Sequence, residues 1–339
     1  MRSVFYPHLV GGPHGDPALY VRLAHRREAL LFDCGFLGGL PPREMGKIRH
    51  LFISHTHVDH FIGFDRLVRF FLYTDHRLAV YGPTGIANQV GSRLASYTWN
   101  LVDGYPFEIT VHEWSGEQME TWQFRARNAF RPEEIGSTDC RNGRLLATPA
   151  YHVTATPLEH GSITSLAYCL EEVMHVAIHK DALEHHGYRP GPWLTTFKDR
   201  LRAGNAASAT VAIPLVGGGA KELLVDALAA DIAHTEPGMK VCYVTDASPS
   251  TANLDKIAIL AREAHLLAIE APFAHADLER ARKRNHLTAQ LAGAVARQAG
   301  VARCLFFHFS PRYQQSDIDL EAEAFGAFSG ATNPPATGS

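Results

Sequence analysis

Long apolar runs are missing from this 339-residue chain. None reaches the roughly 20 residues that a membrane-spanning helix needs. The N-terminal stretch MRSVFYPHLVGG lacks the apolar core of a signal peptide. Paired cysteines are missing too. The five cysteines, Cys34, Cys140, Cys169, Cys242 and Cys304, are odd in number and form no C-x-x-C pair. That argues against a disulfide framework and for a reducing compartment. The expectation is a cytoplasmic protein with no membrane partner. Charge of one sign is also scarce. Lys and Arg total 32, Asp and Glu total 35, and the formal net charge is -3. A global basic field for tight nonspecific nucleic-acid binding is thereby excluded, though a local basic patch is not. No repeat at a solenoid period is evident.

What is present is an ordinary globular composition, 46% apolar and 20% charged, so a sizeable core can be buried. The length fits a large α/β domain or a four-layer sandwich. Residues 17–24 and 29–34 read as strands, and 48–54 as a buried strand. Apolar residues from Phe61 to Leu72 recur at helical spacing. Further strands are expected at 78–81, 107–113, 121–128, 144–153 and 163–170. In the second half, strands at 239–245, 265–270 and 302–307 alternate with helices at 220–230, 254–264 and 287–299. This suits two mixed sheets with helices on their outer faces. Residues 181–203 look helical but are cut by Pro190-Gly191-Pro192, which suggests an arm or lid. The expected division is one domain over 1–315 and a polar, disordered tail over 316–339.

Histidine is abundant, at 20 residues, but its clustering matters more than its number. His55-Thr56-His57-Val58-Asp59-His60 puts three imidazoles and a carboxylate within six residues, between a buried-type strand and an amphipathic helix. Imidazole suits zinc, and carboxylate extends the choice to harder ions such as manganese. In an extended loop, His55 and His57 face one way while Asp59 and His60 reach a second position. One loop can then feed two adjacent ions. The competing explanation is a His-rich surface turn.

The pattern H-x-H-x-D-H after an apolar strand resembles the signature of the metallo-β-lactamase superfamily. Leu30-Leu31-Phe32-Asp33-Cys34-Gly35 is similar to the lead-in found there, whose Asp supports the site. Leu158-Glu159-His160-Gly161 looks like the third-histidine motif, and Val244-Thr245-Asp246 like the strand-end aspartate that bridges the metals. Residues 269–273, the stretch Asn285-His286-Leu287-Thr288-Ala289 and residues 306–313 resemble the ribonuclease Z branch, which processes tRNA 3′ ends.

That resemblance implies a four-layer αβ/βα fold and a phosphodiester hydrolase with two divalent ions, zinc or alternatively manganese, that activate a water. His55, His57 and His160 would hold one ion, Asp59, His60 and His308 the other, with Asp246 between them. Asp59 would also orient the attacking water, and His286 would act as general acid. Glu270 would orient His286, or be a strand-end carboxylate in an ion pair. Ser310 and Arg312 would bind substrate phosphate, though a structural ion pair is an equal reading for Arg312. Arg280, Arg282, Lys283 and Arg284 could steer RNA, or form a solvated helix face. Trp99 and Trp193 fit buried packing better than base stacking. The implied partner is precursor tRNA, in a homodimer as the family suggests. The rival reading is a small-molecule or cyclic-nucleotide phosphodiesterase on the same scaffold. From another class comes a non-catalytic metal- or RNA-binding module.

Overall fold

A computed structural model describes residues 4–204 and 206–330. The chain opens with eight strands that pair in sequence order: β1 (Phe5–Leu9), β2 (Leu19–Leu23), β3 (Ala29–Phe32), β4 (Ile48–Phe52), β5 (Arg77–Pro83), β6 (Glu108–Trp114), β7 (Gln118–Arg125) and β8 (Pro132–Asp139). It continues through β9 (Arg144–Ala147), β10 (Tyr151–His160) and β11 (Ile163–Glu172). Four short strands follow, β12 (His175–Ile178), β13 (Thr210–Pro214), β14 (Ala220–Leu224) and β15 (Ala233–Glu236). The last three are β16 (Lys240–Val244), β17 (Leu266–Glu270) and β18 (Cys304–Phe307).

The first sheet is mixed. β3 through β6 run parallel, and antiparallel pairs flank them. The second sheet has the order β18-β17-β16-β11-β10-β9, with β16, β17 and β18 parallel.

The period-2 alternation of the strands builds four layers. In β3 and β4, Ala29, Leu31 and Leu51 face one core, shared with Phe64, Leu67 and Phe71 of helix Phe64–Phe71. In β16 and β17, Cys242, Val244, Leu267 and Ile269 face another, shared with Val295 of helix Ala289–Gln298 and Ile257 of helix Thr251–Leu260. The alternate positions point between the sheets. There Phe32 lies 5.0 Å from Phe52 and 5.9 Å from Tyr243, and Phe52 lies 5.4 Å from Tyr168, centroid to centroid. Each fully buried ring of this kind stabilises by roughly 2–3 kcal/mol. The Tyr168 hydroxyl donates to the Ile53 carbonyl at 2.6 Å, tying the layers together beside the site.

Three expectations need correction. First, residues 146–153 and 170–240 form a compact unit of their own rather than an arm on a single domain. The physical reason is a separate core, with Val176, Leu183, Trp193, Phe197, Ile213 and Leu228 buried together. Pro190-Gly191-Pro192 separates helix Lys180–His185 from helix Trp193–Arg202 within it. Second, the helix expected over 220–230 begins only at Val225; its first half is strand β14, paired antiparallel with β13. Third, the tail expected to be disordered contains a helix, Leu320–Ser329. Asp319 caps it by accepting from the Ala322 amide at 2.9 Å, and Leu320 and Ala324 are buried. The helix packs on Ala289–Gln298, where Gly293 leaves room that any Cβ would take from the Ala324 carbonyl. Residues 331–339 lie outside the described residues. No described helix is long and apolar enough to cross a membrane.

Candidate metal centre and active site

Strand ends deliver the site. Asp33 follows β3, His55 follows β4, His160 ends β10, Asp246 follows β16, Glu270 ends β17 and His308 follows β18. Crevices at the carboxyl ends of strands are where open α/β sheets bind ligands. Asp33, Asp246 and His308 have φ values of 53°, 44° and 62°, the left-handed region that non-glycine residues seldom occupy. Such strain costs of order 1–3 kcal/mol per residue and persists where surrounding contacts hold it.

Asp246 is the hub. Its Oδ2 lies 3.5 Å from His55 Nε2 and 3.4 Å from His160 Nε2. Its Oδ1 lies 3.4 Å from His60 Nε2 and 3.1 Å from His308 Nδ1. One group of donors that can reach a common point is His55, His57, His160 and Asp246. A second is Asp59, His60 and His308, and a third is Asp246, Glu270, His286 and His308. The seven expected ligand side chains are therefore brought together. His57 is the exposed member, at the mouth.

The surroundings fix which nitrogens face inward. Asp33 Oδ2 accepts from His60 Nδ1 at 2.8 Å, from the Ser54 hydroxyl at 2.7 Å and from the Tyr243 hydroxyl at 2.8 Å. Asp33 Oδ1 accepts from the Ser54 amide at 2.7 Å. His160 Nδ1 donates to the Asn285 carbonyl at 2.8 Å. Gly161, with φ of 63°, makes the turn after it; a Cβ there would press on the Asn285 side chain at 2.7 Å. His55 Nε2, His60 Nε2 and His308 Nδ1 are left buried without a hydrogen-bond partner. Buried polar atoms without partners are costly, and a cation among imidazole and carboxylate donors satisfies all of them at once. The donor set thus fits a pair of divalent ions. Its outer support, imidazole N–H groups held by carboxylate and carbonyl, is the arrangement that orients metal-bound histidines.

Burial opposes ionisation of Asp246, but His60 and His308 outweigh it and hold its carboxyl well below the usual range. Burial likewise opposes charge on His286. The Glu270 carboxylate outweighs it and raises the imidazole pKa. Glu270 is held down to about 2 by His286 against its own burial. Glu270 Oε2 accepts from His286 Nδ1 at 2.8 Å, while Oε1 accepts from the Ala247 and Leu287 amides at 2.9 and 3.1 Å. Of the two readings of Glu270, the orienting one matches this geometry.

Other expected residues are placed elsewhere. Ser310 caps the short turn Pro311–Tyr313 by accepting from the Arg312 amide. The Arg312 guanidinium is half exposed and lies 3.9 Å from Asp277. Among the described residues, neither makes a hydrogen bond or ion pair to the cluster. Arg282 pairs with Glu279 on helix Leu278–Arg284. Trp99 donates to the Leu94 carbonyl and Trp193 is buried in the separate unit, so both pack. Ser54, Tyr243 and Asn285 are supporting residues that sequence reasoning missed. Ser54 and Tyr243 carry no motif, Asn285 acts through its backbone carbonyl although it stands in the motif stretch, and only the fold brings the three to Asp33 and His160.

No family model matches the chain. Curated relatives do. The chain is 31% identical over 314 residues to Ribonuclease Z of Deinococcus radiodurans, covering 91% of each. It is 28% identical to Ribonuclease Z of Methanothermobacter thermautotrophicus, covering 87% of this chain and 81% of that one. Among solved structures it resembles the short form of human tRNase Z, with a TM-score of 0.51 and 19% identity over 91% of this chain and 93% of that one, a likeness of fold. The fold is that of the metallo-β-lactamases, and the chain belongs to the ribonuclease Z family.

Proposed function

We propose that the chain is a metal-dependent endoribonuclease that processes tRNA 3′ ends. The observation that carries this reading is the convergence of seven donor side chains on Asp246 beside the His286–Glu270 pair. Membership of the ribonuclease Z family supplies the substrate.

In this reading His55, His57 and His160 would hold one ion, and Asp59, His60 and His308 the other, with Asp246 available to both. Two divalent ions bound there would supply an acidified water and neutralise charge developing on the phosphate. Zinc is the ion we assign, with manganese as the alternative. Asp59 Oδ2 lies 3.2 Å from His308 Nε2 and 3.5 Å from His60 Nε2, so its carboxylate is held beside the second group and can orient the attacking water. His286 Nδ1 is held by Glu270, and we assign His286 to proton transfer rather than to the ligand set. Its Nε2 is then available to pass a proton to the leaving ribose oxygen, a step worth about 10²–10⁴ in rate. Glu270 stabilises the imidazolium before that transfer. A homodimer in the cytoplasm is the expected working state by family likeness, and mass measurement in solution tests the dimer.

The test uses metal-loaded protein, a 3′-extended precursor tRNA and bis(p-nitrophenyl) phosphate, with His57→Ala as the blank. A discrete cut at the acceptor end supports the reading. Turnover of the small diester with the tRNA left whole moves the substrate to a small phosphodiester. Inertness toward both overturns the activity.

A further inference from the structure

We propose that a cleft beside His55 binds one nucleoside of the RNA, next to the phosphate that is cut. The inference rests on the RNA reading above and names where the flanking nucleoside sits.

The cleft has a volume of about 350 Å³, within the few hundred Å³ that small-ligand sites occupy. His55 and Thr56 form one wall, so the cleft opens directly from the metal-ligand loop. The other walls come from strand ends and turns, with Gln89 of helix Ile86–Ala95, Pro157 of β10 and Thr164 of β11 completing them. Pro83 and Thr84 follow the body of β5, Trp114 and Ser115 lie at the β6–β7 turn, and Ser162 and Ile163 at the β10–β11 turn.

The lining has no Lys, Arg, Asp or Glu. A phosphate would find no cation there to pair with, and an occupant carrying its own positive charge would find no carboxylate. The occupant is therefore neutral. Thr84, Gln89, Ser162 and Thr164 supply hydroxyl and amide groups, and none of these side chains makes a hydrogen bond among the described residues. Pro83, Trp114 and Ile163 supply apolar surface; Ile163 is 40% exposed although it faces this cleft. Apolar faces with neutral donors and acceptors around them suit a splayed-out base and its ribose, which is how single-stranded RNA is read. The negative charge of the same nucleotide then falls on the metal side of His55. Neutral cleft and cationic centre together match the alternation of nucleoside and phosphate along the strand.

The experiment measures single-turnover cleavage of a 3′-extended precursor tRNA, and of the same RNA carrying one abasic residue on either side of the cut. Bis(p-nitrophenyl) phosphate is the reference substrate without a nucleoside. The chains are wild type, Thr164→Phe, which fills the cleft, and Gln89→Ala, an exposed change that leaves folding intact. Metal content and melting temperature accompany each. Wild type should lose roughly tenfold or more when the base on one side is removed, the worth of a base stack. Thr164→Phe should lose a similar factor on the complete RNA, measured as its ratio to small-diester turnover. It should lose nothing further on the abasic RNA. Gln89→Ala should show a smaller fall in the same ratio. A Thr164→Phe chain that keeps both the RNA rate and the abasic penalty overturns the cleft and leaves the RNA reading standing. A wild-type chain that leaves RNA whole while turning over the small diester overturns both.

Discussion

Glu270 and His286 are locked together by a 2.8 Å hydrogen bond from the imidazole Nδ1 to Oε2 of the fully buried carboxylate. The other carboxylate oxygen is held by two backbone amides, so Glu270 cannot turn away. An imidazole held this way keeps a single orientation, with Nε2 outward, and binds its proton more tightly. Glu270→Gln should keep the metals and lower kcat by about 10–100-fold, the usual effect of removing a supporting carboxylate. The pH profile separates this from damage to the fold. A general acid must be protonated, so activity falls as pH rises through the His286 pKa. Glu270 raises that pKa, and the variant's alkaline limb should move to lower pH. An unmoved limb would assign the acid to another group.

Asp33 should behave as part of the metal centre although it touches no ion. It accepts four hydrogen bonds, one of them from His60 Nδ1. Asp33→Asn turns one acceptor oxygen into a donor against two hydroxyls and an imidazole. The expected result is about 10–100-fold weaker binding of the ion at His60. Titration with a competing chelator checks this; affinity equal to wild type would mean that His60 is oriented by other contacts.

Acid should destabilise the fold through a histidine remote from the site. His76 is buried and stacked on Phe71 at 3.6 Å. Its Nε2 donates to the Ile48 carbonyl at 2.6 Å and its Nδ1 accepts from Arg49 at 3.0 Å. Burial, with Arg49 adding to it, lowers its pKa to about 4. The folded pKa therefore lies below the unfolded value of about 6.5. Between those two pH values the unfolded chain binds more protons, so stability falls as pH drops through that window. His76→Gln keeps a donor and an acceptor but has no such titration. Its urea midpoint should change less steeply between pH 6.5 and 4.5 than that of wild type, both measured after metal removal. Equal slopes would place the acid sensitivity elsewhere.

The C-terminal helix should contribute to stability. Leu320→Ala removes a buried side chain at its start and should cost about 2–5 kcal/mol. A change under about 0.5 kcal/mol in the unfolding free energy would show that the helix is a loose appendage.

Much of the site was legible because its chemistry is carried by spacing. His55, His57, Asp59 and His60 occupy one short segment, Asp246 and His308 each stand at the end of an apolar run, and His160 was legible from its Leu-Glu-His-Gly context. Glu270 was ambiguous, because a strand-end carboxylate reads alike whether it holds an imidazole or an ion pair. Ser310 and Arg312 were expected as phosphate contacts from the resemblance alone; in the structure the serine caps a turn and the arginine lies near Asp277. The tail looked polar because its helix buries little more than Leu320 and Ala324, too sparse a stripe to raise a helical period. Residues 181–203 were read as an arm because the core of the unit that contains them gathers residues as far apart as Val176 and Ile232, which no local window relates.

The central claim is a metal-dependent RNA hydrolase whose proton donor is His286. The most direct test follows cleavage of a 3′-extended precursor tRNA by metal-loaded wild type and His286→Ala, with bound metal counted in both. The account predicts two ions per chain in each protein and a discrete 3′ cut by wild type. It predicts a rate about 10²–10⁴-fold lower in the variant. Wild-type cleavage undiminished by the substitution, or RNA left whole with both ions bound, would contradict it.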